Sequence, residues 1–459
     1  MITPNTEQKI LMVGTGYVGL TTAVGLAKLG HSVACYDINE ERVKQLKDGI
    51  SPYYEPGLTE LLAEGTKADR LAFFDDLAEA YTGQRYVFVA VQTPTDENGK
   101  SDLSALTAAV KNIAEVVTQP TLVIIKSTVP VGAFEHLQTL FTDKLDKIHF
   151  VSCPEFLAEG SAIKNFFNPT RTIVGSDDVA ESEEVAGLFY GLGGYYITTD
   201  AKTAQMIKYT ANAFLATRVA FINDIAQLCE KFGINANDVS RALPMDPRLG
   251  GSHTMPGMSF AGPCLPKDIL ALIETSEQQG VPALLLRGAS DHNVSHLRHI
   301  IDTIAGLASE GSTIAVFGLS FKANTDDVRN AFSIKIIKTL IEEYGMKVRA
   351  TDPRSIPAAQ AAFTSPDLTF VEDPLEAAKG SDLQLFLTPW EEFKVLDFAK
   401  VADVAAHKVI YDTMQMIDEA AARKAGFKYY AIGRMYGETG SPAFAVSDNP
   451  AEHAETAAA

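Results

Sequence analysis

The stretch from Ala201 to Phe232 contains neither proline nor glycine, and its apolar residues recur at helical spacing. This pattern predicts one long helix, and further helical patterns follow it to about residue 305. Short apolar runs alternate with helical segments on both sides of this region. Because strands that alternate with helices form parallel, doubly wound sheets, we predict an α/β protein in which a central helical domain joins two Rossmann-like domains.

These changes of pattern divide the chain into four predicted parts. The first sheet takes residues 1–200, the helical domain 201–305 and the second sheet 306–445, while 446–459 forms a disordered tail. The strand candidates of the first sheet are KILMV, SVACYD, RYVFVAV, TLVIIKS, IHFVS and TRTIVG. Those of the second sheet are TIAVFG, KVRATD, LTFVED, LQLFLT, HKVIYD and KYYAIG.

Composition and charge exclude several classes of protein. Apolar residues make up 46% of the chain, which is ordinary for a globular protein. The formal charge of −19 argues against nucleic-acid binding, and no apolar run approaches the roughly 20 residues that span a bilayer. The start of the sequence shows no signal-peptide pattern. Four widely spaced cysteines without a CxxC pair fit free thiols in a reducing compartment, so we expect a cytoplasmic location.

The segment GTGYVG, residues 14–19, matches the glycine pattern G-x-G-x-x-G. It follows a predicted strand, opens a predicted helix and precedes Asp37 at the end of the next strand, which is the context of a dinucleotide site. Gly14 permits the tight turn, Gly16 lets a pyrophosphate approach the backbone, and Gly19 lets the helix pack closely on the strand. Asp37 would accept hydrogen bonds from the adenosine ribose and repel a 2′-phosphate, so we predict NAD as the cofactor.

Two threonines follow predicted strands of the same sheet. Thr93 lies in QTPT and Thr128 lies in KSTVPVG. Ligands of such sheets bind beyond the carboxyl ends of the strands, so both side chains are candidates for the cofactor site. Ordinary turn chemistry explains each of them equally well.

The segment FAGPCLPKD places Cys264 among a glycine and two prolines, a composition that suits neither a helix nor a strand interior. We therefore expect a stiff loop there. Lys267 is close in sequence, and a nearby ammonium lowers the pKa of a thiol and raises its thiolate fraction. The other cysteines fall in predicted strands, at a strand end or in the long helix, where we expect buried, unreactive thiols; they are Cys35, Cys153 and Cys229.

Two pairs of polar residues have members four positions apart. Lys208 and Asn212 share one face of the long helix, while Glu155 and Glu159 follow a predicted strand in PEFLAEG. A lysine beside the apolar stripe of that helix, such as Lys208, is more often a solvated residue whose stem covers the stripe, and the glutamates could equally be caps or surface charges.

A dinucleotide site combined with a nucleophilic thiol indicates oxidation of an alcohol to an acid. Hydride transfer would give an aldehyde, which the thiolate attacks to form a thiohemiacetal. A second hydride transfer would leave a thioester, and water would hydrolyse it to a carboxylate.

The motifs of the chain, taken in order, resemble those of the nucleotide-sugar 6-dehydrogenases over roughly residues 9–435. They are GTGYVGL, QTPT, KSTVPVG, PEFLAEGSAI, NPTRTIVG, KYTANAFLATRVAFIN, DPRLG, FAGPCLPKD, GLSFKANTDDVRNA and LTPWEEF. The resemblance implies NAD-dependent, four-electron oxidation of a nucleotide sugar through intermediates on Cys264. CLPKD, PEFLAEGSAI and DPRLG resemble the members that act on UDP-glucose, with GDP-mannose or a UDP-N-acetylhexosamine as alternatives. The family also implies a homodimer that pairs through the central helices.

The resemblance assigns roles to individual residues. The catalytic residues would be Cys264, Lys208, Asn212, Asp268, Thr128 and Glu159. With the glycine motif, the cofactor contacts would be Gly14, Gly16, Tyr17, Val18, Gly19, Asp37, Thr93, Thr128 and Arg329. The substrate contacts would be Glu155, Phe156, Leu157, Glu159, Lys208, Arg248, Phe260, Gly262, Lys267 and Lys322. Lys208 and Asn212 would stabilise an oxyanion, and Asp268 would assist them. Thr128 and Glu159 would handle water or protons. Arg248 would reach a neighbouring subunit's substrate.

Three residues depart from the family pattern. Ala261 restricts a loop backbone where the family commonly has glycine, and Pro263 removes an N–H group. Met414 stands where the family has an arginine, which puts an anion contact there in question.

Other hypotheses fit fewer of these observations. A catalytically silent sensor of NAD and a nucleotide sugar has no need of Cys264 with Lys208 and Asp268. A two-electron hydroxyacid dehydrogenase has no need of the cysteine or of a second sheet. HNVSHLRH (292–299) places three histidines at helical spacing, but no cysteine or carboxylate completes a metal set, so we predict no metal.

Overall fold

The structure is a computed structural model that describes residues 7–96, 98–142, 146–251 and 253–434. Two α/β units and a central group of helices make up the described chain, so the predicted fold class is confirmed. The predicted tail, 446–459, lies outside the described residues. Within the described ranges, no helix is both long and apolar enough to cross a membrane.

The first sheet has eight strands within the described residues. They are β1 (Lys9–Val13), β2 (Ser32–Tyr36), β3 (Leu71–Phe74), β4 (Tyr86–Val89), β5 (Thr121–Ile125), β6 (Ile148–Ser152), β7 (Arg171–Gly175) and β8 (Tyr195–Thr199). Their order across the sheet is β3-β2-β1-β4-β5-β6-β7-β8, and the first six strands run parallel. The order reverses between β1 and β4, which is where sheets of this kind bind ligands beyond the carboxyl ends of their strands.

The parallel winding ends at β6, which the sequence did not predict. Strand β7 pairs with β6 in the antiparallel direction through Ser152 and Gly175, and β8 runs parallel to β7. The connection between β6 and β7 therefore stays beyond the carboxyl end of β6 and keeps Glu155 and Glu159 there. The short runs LAFF (β3) and YYITT (β8) were also not predicted as strands.

The helices of the first unit cover both faces of its sheet. They are α1 (Tyr17–Lys28), α2 (Glu40–Lys47), α3 (Leu58–Lys67), α4 (Leu77–Ala80), α5 (Ser104–Val116), α6 (Ala133–Leu140), α7 (Ala162–Phe167) and α8 (Val179–Gly187). In β1, Ile10 and Met12 pack into one core cluster while Leu11 and Val13 pack into another. Burial on both faces explains why the strands are continuous apolar runs.

The central helices confirm the prediction from the glycine-free segment. They are α9 (Ala201–Phe232), α10 (Ala236–Ala242), α11 (Leu265–Gln278) and α12 (Leu284–Leu307), with a 3-10 turn at Leu243–Met245. The Asp200 side chain caps the start of α9 by accepting the N–H group of Thr203 at 2.9 Å. Gly233, at φ +72°, ends the helix in the left-handed region.

The second sheet is fully parallel, and all six of its strands were predicted. They are β9 (Thr313–Phe317), β10 (Lys347–Thr351), β11 (Leu368–Phe370), β12 (Leu383–Phe386), β13 (Val409–Asp412) and β14 (Lys428–Ala431), in the order β11-β10-β9-β12-β13-β14. Its helices are α13 (Phe332–Glu342), α14 (Ile356–Ala362), α15 (Pro374–Ala378), α16 (Glu391–Lys394), α17 (Phe398–Val404) and α18 (Glu419–Lys424).

Asp352 follows β10 and occupies the place in the second sheet that Asp37 occupies in the first. Its carboxylate accepts the N–H groups of Leu319 at 2.7 Å and Ser320 at 3.3 Å, and the indole N–H group of Trp390 at 3.0 Å. Trp390 is buried, so the chain itself encloses this carboxylate.

Candidate active site

The glycine turn between β1 and α1 has the geometry that a dinucleotide site needs. Gly14 lies at φ +94°, and a Cβ atom there would come within 2.6 Å of the Ala90 carbonyl oxygen. A Cβ atom at Gly19 would come within 1.9 Å of the Gly14 carbonyl oxygen. No atom lies within 4 Å of a Cβ placed on Gly16, so this turn leaves open space for a phosphate at the start of α1. These residues fit NAD.

Asp37 ends β2 and is held beside the same turn. Its carboxylate accepts the N–H group of Thr15 at 2.7 Å, the Thr15 hydroxyl at 2.8 Å and the Asn39 N–H group at 2.9 Å. Arg42 forms an ion pair with it at 3.1 Å. Burial opposes ionisation, but these donors and the guanidinium outweigh it and lower the pKa of Asp37. The acid is therefore ionised near neutral pH, as ribose recognition requires.

A cavity of about 820 Å³ extends from the glycine turn to Cys264. This volume lies within the range of cofactor and ligand sites. The predicted site residues that line it are Gly14, Gly16, Tyr17, Val18, Asp37, Thr93, Thr128, Glu155, Leu157, Glu159, Cys264, Lys267 and Arg329. The predicted residues that do not line it are Gly19, Phe156, Lys208, Asn212, Arg248, Phe260, Gly262, Asp268 and Lys322. The Thr93 hydroxyl donates to the Thr128 carbonyl oxygen at 2.7 Å and joins the two loops.

Lys208 and Glu155 form a buried ion pair behind the cavity wall. The Lys208 Nζ atom lies 2.8 Å from Glu155 Oε1, and both residues are at most 9% exposed. Burial lowers the pKa of Lys208, yet Glu155 and Asp268 raise it above its ordinary value overall. Burial likewise disfavours the Glu155 carboxylate, but Lys208 outweighs this and lowers the pKa of Glu155. The alternative of a solvated lysine on the edge of the helix is therefore wrong.

Cys264 is the residue that immediately precedes α11, so the predicted loop ends at the thiol and Lys267 lies in the first helical turn. The thiol is reachable from solvent but closely surrounded by protein atoms. This enclosure, together with Glu155 and Asp268, raises the pKa of Cys264 to about 12, while Lys208 acts in the opposite direction. The expectation that Lys267 lowers the thiol pKa was wrong, because the Lys267 ammonium lies 2.6 Å from Asp268 and is paired there.

Asn212 and Asp268 are brought together as the resemblance implied. The Asn212 amide donates to one Asp268 oxygen at 2.5 Å, and Lys267 donates to the other at 2.6 Å. Asp268 is 1% exposed. Since Asn212 and Lys208 are on one face of α9, this helix contacts Glu155, which lines the cavity, and Asp268, which lies behind it.

Glu159 lies at the other side of the cavity, next to the loop that follows β9. Burial and the neighbouring Asp327 raise the pKa of Glu159 to about 8, against the opposing effects of Arg329 and Lys322. The Arg329 guanidinium is 3.5 Å from Glu159 Oε1, whereas Oε2 has no hydrogen-bond partner among the described residues. Burial lowers the pKa of Lys322. A carboxyl group with such a pKa can both donate and accept a proton near neutral pH.

The remaining predicted substrate residues lie outside the cavity. The Phe156 ring contacts the Arg171 guanidinium at 4.2 Å and faces a second cavity of about 160 Å³. Phe260 is buried, and its backbone is held by the Asn293 amide at 2.9 Å. Gly262, at φ +81°, has the Phe321 ring 2.7 Å from the position of a Cβ atom. Arg248 is exposed and paired with Asp246.

The departures from the family pattern occupy different positions. Pro263 lines the cavity beside Cys264. Ala261 packs against the apolar core that the second sheet shares with the central helices. The Met414 sulfur lies 3.5 Å from the position of a Cβ atom on Gly257, so an apolar contact takes the place of a cation.

Sequence reasoning missed several residues of the site. Lys126 lies two positions before Thr128 in the KST motif. It lines both cavities and is 7% exposed. Arg42 and Asn330 also line the large cavity. The position of Lys126 after β5 was a usable signal, whereas Arg42 and Asn330 carry no pattern that distinguishes them from surface residues.

The three histidines of HNVSHLRH lie on α12 and face α9. The His296 ring lies 2.8 Å from the Gln227 amide and 3.0 Å from the Gly257 carbonyl oxygen, and burial lowers its pKa to about 4. His299 pairs with Glu230 at 2.9 Å. In the part of the chain that the structure describes, no group of three His, Cys, Asp or Glu side chains could hold a metal ion. The predicted absence of a metal stays a prediction.

The fold and the cavity define an NAD-linked dehydrogenase with two Rossmann-like units and a cysteine beside the cofactor site. Models of the UDP-glucose/GDP-mannose dehydrogenase family match the chain at residues 8–192 (NAD binding domain), 202–295 (central domain) and 315–419 (UDP binding domain). The chain belongs to the UDP-glucose/GDP-mannose dehydrogenase family.

Several relatives and solved structures cover nearly the whole chain. A UDP-glucose 6-dehydrogenase of Bacillus subtilis is 37% identical over 434 residues, which cover 93% of each chain. One of Rhizobium meliloti is 37% identical over 93% of this chain and 99% of its own. A UDP-glucose dehydrogenase structure from Pyrobaculum islandicum has a TM-score of 0.86 at 30% identity, covering 94% of this chain and 98% of that one.

Proposed function

We propose that this chain oxidises UDP-glucose to UDP-glucuronate with two molecules of NAD, through a thioester on Cys264. The observation that carries this proposal is a solvent-reachable cysteine at the start of α11 that lines the same cavity as the glycine turn. The UDP-glucose 6-dehydrogenases that resemble the chain support UDP-glucose as the substrate.

The cofactor would be held by Gly14, Gly16 and Asp37, and bound NAD would supply the hydride acceptor for both oxidations. Cys264 adds to the aldehyde carbon, and as the carbon–sulfur bond forms the thiol proton is transferred to the developing oxyanion on the former carbonyl oxygen, which gives the thiohemiacetal. Because the thiol pKa is about 12, this proton has to be removed during attack rather than beforehand.

The oxyanion formed by this attack would be stabilised from α9. Lys208 remains protonated, and Asn212 carries an amide; both lie on the face of α9 that supports the cavity wall. Asp268 fixes Asn212 and Lys267. Substrate binding would have to draw the Lys208 and Asn212 side chains from their present partners toward the cavity.

Glu159 is the proposed proton carrier for the first oxidation and for hydrolysis of the thioester, with Thr128 holding the water. Its pKa of about 8 suits both directions of transfer. Lys322 and Arg329, in the loop after β9, would meet the charge of the nucleotide diphosphate and the cofactor phosphates. We also propose a cytoplasmic location, which the spacing of the four cysteines supports.

Counting NADH decides between this function and its alternatives. With NAD in excess and UDP-glucose limiting, we expect two NADH for each UDP-glucose consumed, measured by absorbance and by chromatography of the sugar nucleotides. One NADH per sugar would contradict the thioester route. No NADH would contradict the proposal that UDP-glucose is the substrate. GDP-mannose, tested in the same way, should give at most a small fraction of the rate.

A homodimer through the central helices is the proposed assembly. Phe214, Phe221 and Leu228 recur every seven residues along α9, and each is more than half exposed. Two further apolar residues, Leu284 and Leu285 at the start of α12, are over 70% exposed. Large exposed apolar side chains that recur along one helix face are typical of a protein–protein interface. The proposed role of Arg248 toward a neighbouring substrate depends on this dimer.

Replacing Phe221 with glutamate should therefore separate the subunits, because it places a charge in an apolar contact. We expect the mass measured by light scattering to fall to that of one chain at micromolar concentration. The control is Val395→Glu, which changes a residue of similar character that is 80% exposed in the second Rossmann-like unit. A Phe221→Glu protein with the wild-type mass would contradict pairing through α9.

A further inference from the structure

Glu55 lies in the segment between α2 and α3, and no motif drew attention to it. It is 4% exposed and lines neither cavity. A buried carboxylate has to be hydrogen-bonded or paired, because an isolated one is strongly unfavourable. The partners of Glu55 are therefore informative.

These partners belong to two separate loops of the active site. The Glu55 Oε2 atom accepts the hydroxyl of Tyr17, in the glycine turn, and the N–H group of Gly160 at 2.6 Å. The Gly160 N–H group also donates to the Tyr17 oxygen at 2.9 Å. The Ile163 N–H group approaches Oε1 at 3.4 Å. Glu55 thus joins the cofactor loop to the loop that follows β6.

The neighbours of Glu55 strengthen the same link. The Tyr53 hydroxyl donates to the Gly16 carbonyl oxygen at 3.0 Å, and its ring lies 5.1 Å from that of Tyr17. On the other side, Gly160 packs against the second Rossmann-like unit, where a Cβ atom would come within 2.8 Å of the Ala323 carbonyl oxygen. The peptide that follows Glu159 is therefore held between two surfaces, with Glu55 on one of them.

We infer that Glu55 is a positioning residue for the reaction: by accepting the Gly160 N–H group, it fixes the backbone that places Glu159 in the cavity and ties that placement to the cofactor turn. This inference rests on the proton-carrying role proposed for Glu159. The groups that face Glu159 from the loop after β9 are Asp327, Arg329 and Lys322.

The test compares Glu55→Ala and Glu55→Gln with the wild-type enzyme. We expect NADH affinity, measured by fluorescence titration, to change less than about threefold, while kcat falls roughly 10- to 100-fold in Glu55→Ala, because small misplacements of a reacting group cost this much. Glu55→Gln keeps one acceptor oxygen for Gly160, so its kcat should lie between that of the wild type and that of Glu55→Ala. Tyr17→Phe combined with Glu55→Ala should lower kcat further than Glu55→Ala alone, since it also removes the second acceptor of the Gly160 N–H group.

The pH profile of kcat separates positioning from a general loss of structure. If Glu159 leaves its enclosed position, its pKa falls toward that of a free carboxyl group, so the limb near pH 8 should move to lower pH. A lower kcat with an unmoved limb, or an unchanged kcat, would overturn the inference. Tyr86→Phe and Glu184→Gln are matched controls, because they remove a tyrosine–glutamate bond of 2.8 Å in the same unit and outside both cavities.

Hydrogen exchange tests the link without turnover. The Gly160 amide should exchange faster in Glu55→Ala than in the wild type, because its nearer acceptor at 2.6 Å is removed and only the Tyr17 oxygen at 2.9 Å remains. Unchanged exchange would overturn the inference even in an active enzyme. A wild-type protein that forms no NADH from UDP-glucose would instead contradict the proposed function, and the exchange result would still stand.

Discussion

Replacing Cys264 with serine should lower kcat for NADH formation from UDP-glucose by about 10³-fold or more, because it removes the group that carries the substrate. A serine hydroxyl is harder to deprotonate than a thiol. The buried charges of Glu155 and Lys208 are already paired with each other, so neither is free to take the hydroxyl proton. Any ester that formed would be hydrolysed more slowly than a thioester. Steady-state absorbance at saturating NAD and UDP-glucose measures the loss.

Cys229→Ala is the matched control for this prediction. Cys229 lies on α9, is 5% exposed and lines neither cavity. Its replacement should leave kcat within about a factor of two, since Cys229 is buried away from both cavities and the change removes only its sulfur atom. Wild-type kcat in Cys264→Ser would rule out the thioester route and leave only a two-electron oxidation by NAD.

Lys208→Met should remove both activity and stability. The substitution leaves the Glu155 carboxylate buried and without its ammonium, which costs on the order of 3–5 kcal/mol in the free energy of unfolding. It also removes the cation proposed to stabilise the oxyanion, for which the loss of one such donor costs about 10²- to 10³-fold in kcat. Denaturant unfolding and steady-state kinetics measure the two losses.

A second substitution separates the two effects. Lys208→Met combined with Glu155→Gln removes the uncompensated charge, so most of the stability should return while kcat stays low. The pH dependence gives a further check: Lys208 lowers the pKa of Glu155, so without Lys208 this pKa rises in the folded protein. A raised pKa means that protonation favours the folded state, and the stability defect should therefore be smaller at pH 5 than at pH 8. Recovery of kcat in the double variant would contradict the role of Lys208.

The architecture followed from the sequence because its signals are local. Periodicity, together with the absence of proline and glycine, predicted α9, and apolar runs predicted all six strands of the second sheet. The reversal at β7 was not predictable, since strand direction depends on where the connection returns and not on the composition of the strand. The four-residue strand β3 and the half-exposed strand β8 carry too weak an apolar pattern to be recognised.

Part of the predicted set of site residues lines one cavity, whereas the pairing of the charges was not predictable. Spacing placed Lys208 and Asn212 on one face, yet only the fold shows that Glu155 and Asp268 are their partners. The same holds for Cys264: sequence proximity favoured Lys267 as its activator, whereas in the folded chain burial, followed by Glu155 and Asp268, raises its pKa. Glu55 carries no signal at all, because its importance comes from a bond to Gly160, which is 105 positions away.

Asp352 and Trp390 also bear on what each of the two similar sheets can bind. Both sheets have an acid one position beyond the second strand that accepts an N–H group from the turn after the first strand. In the first, the partners of the acid include Arg42, a partly exposed side chain that can move aside for a ribose. In the second, the partner is the buried indole of Trp390. The carboxylate of the first sheet is therefore available to a ribose, whereas that of the second is committed to the core of its own unit.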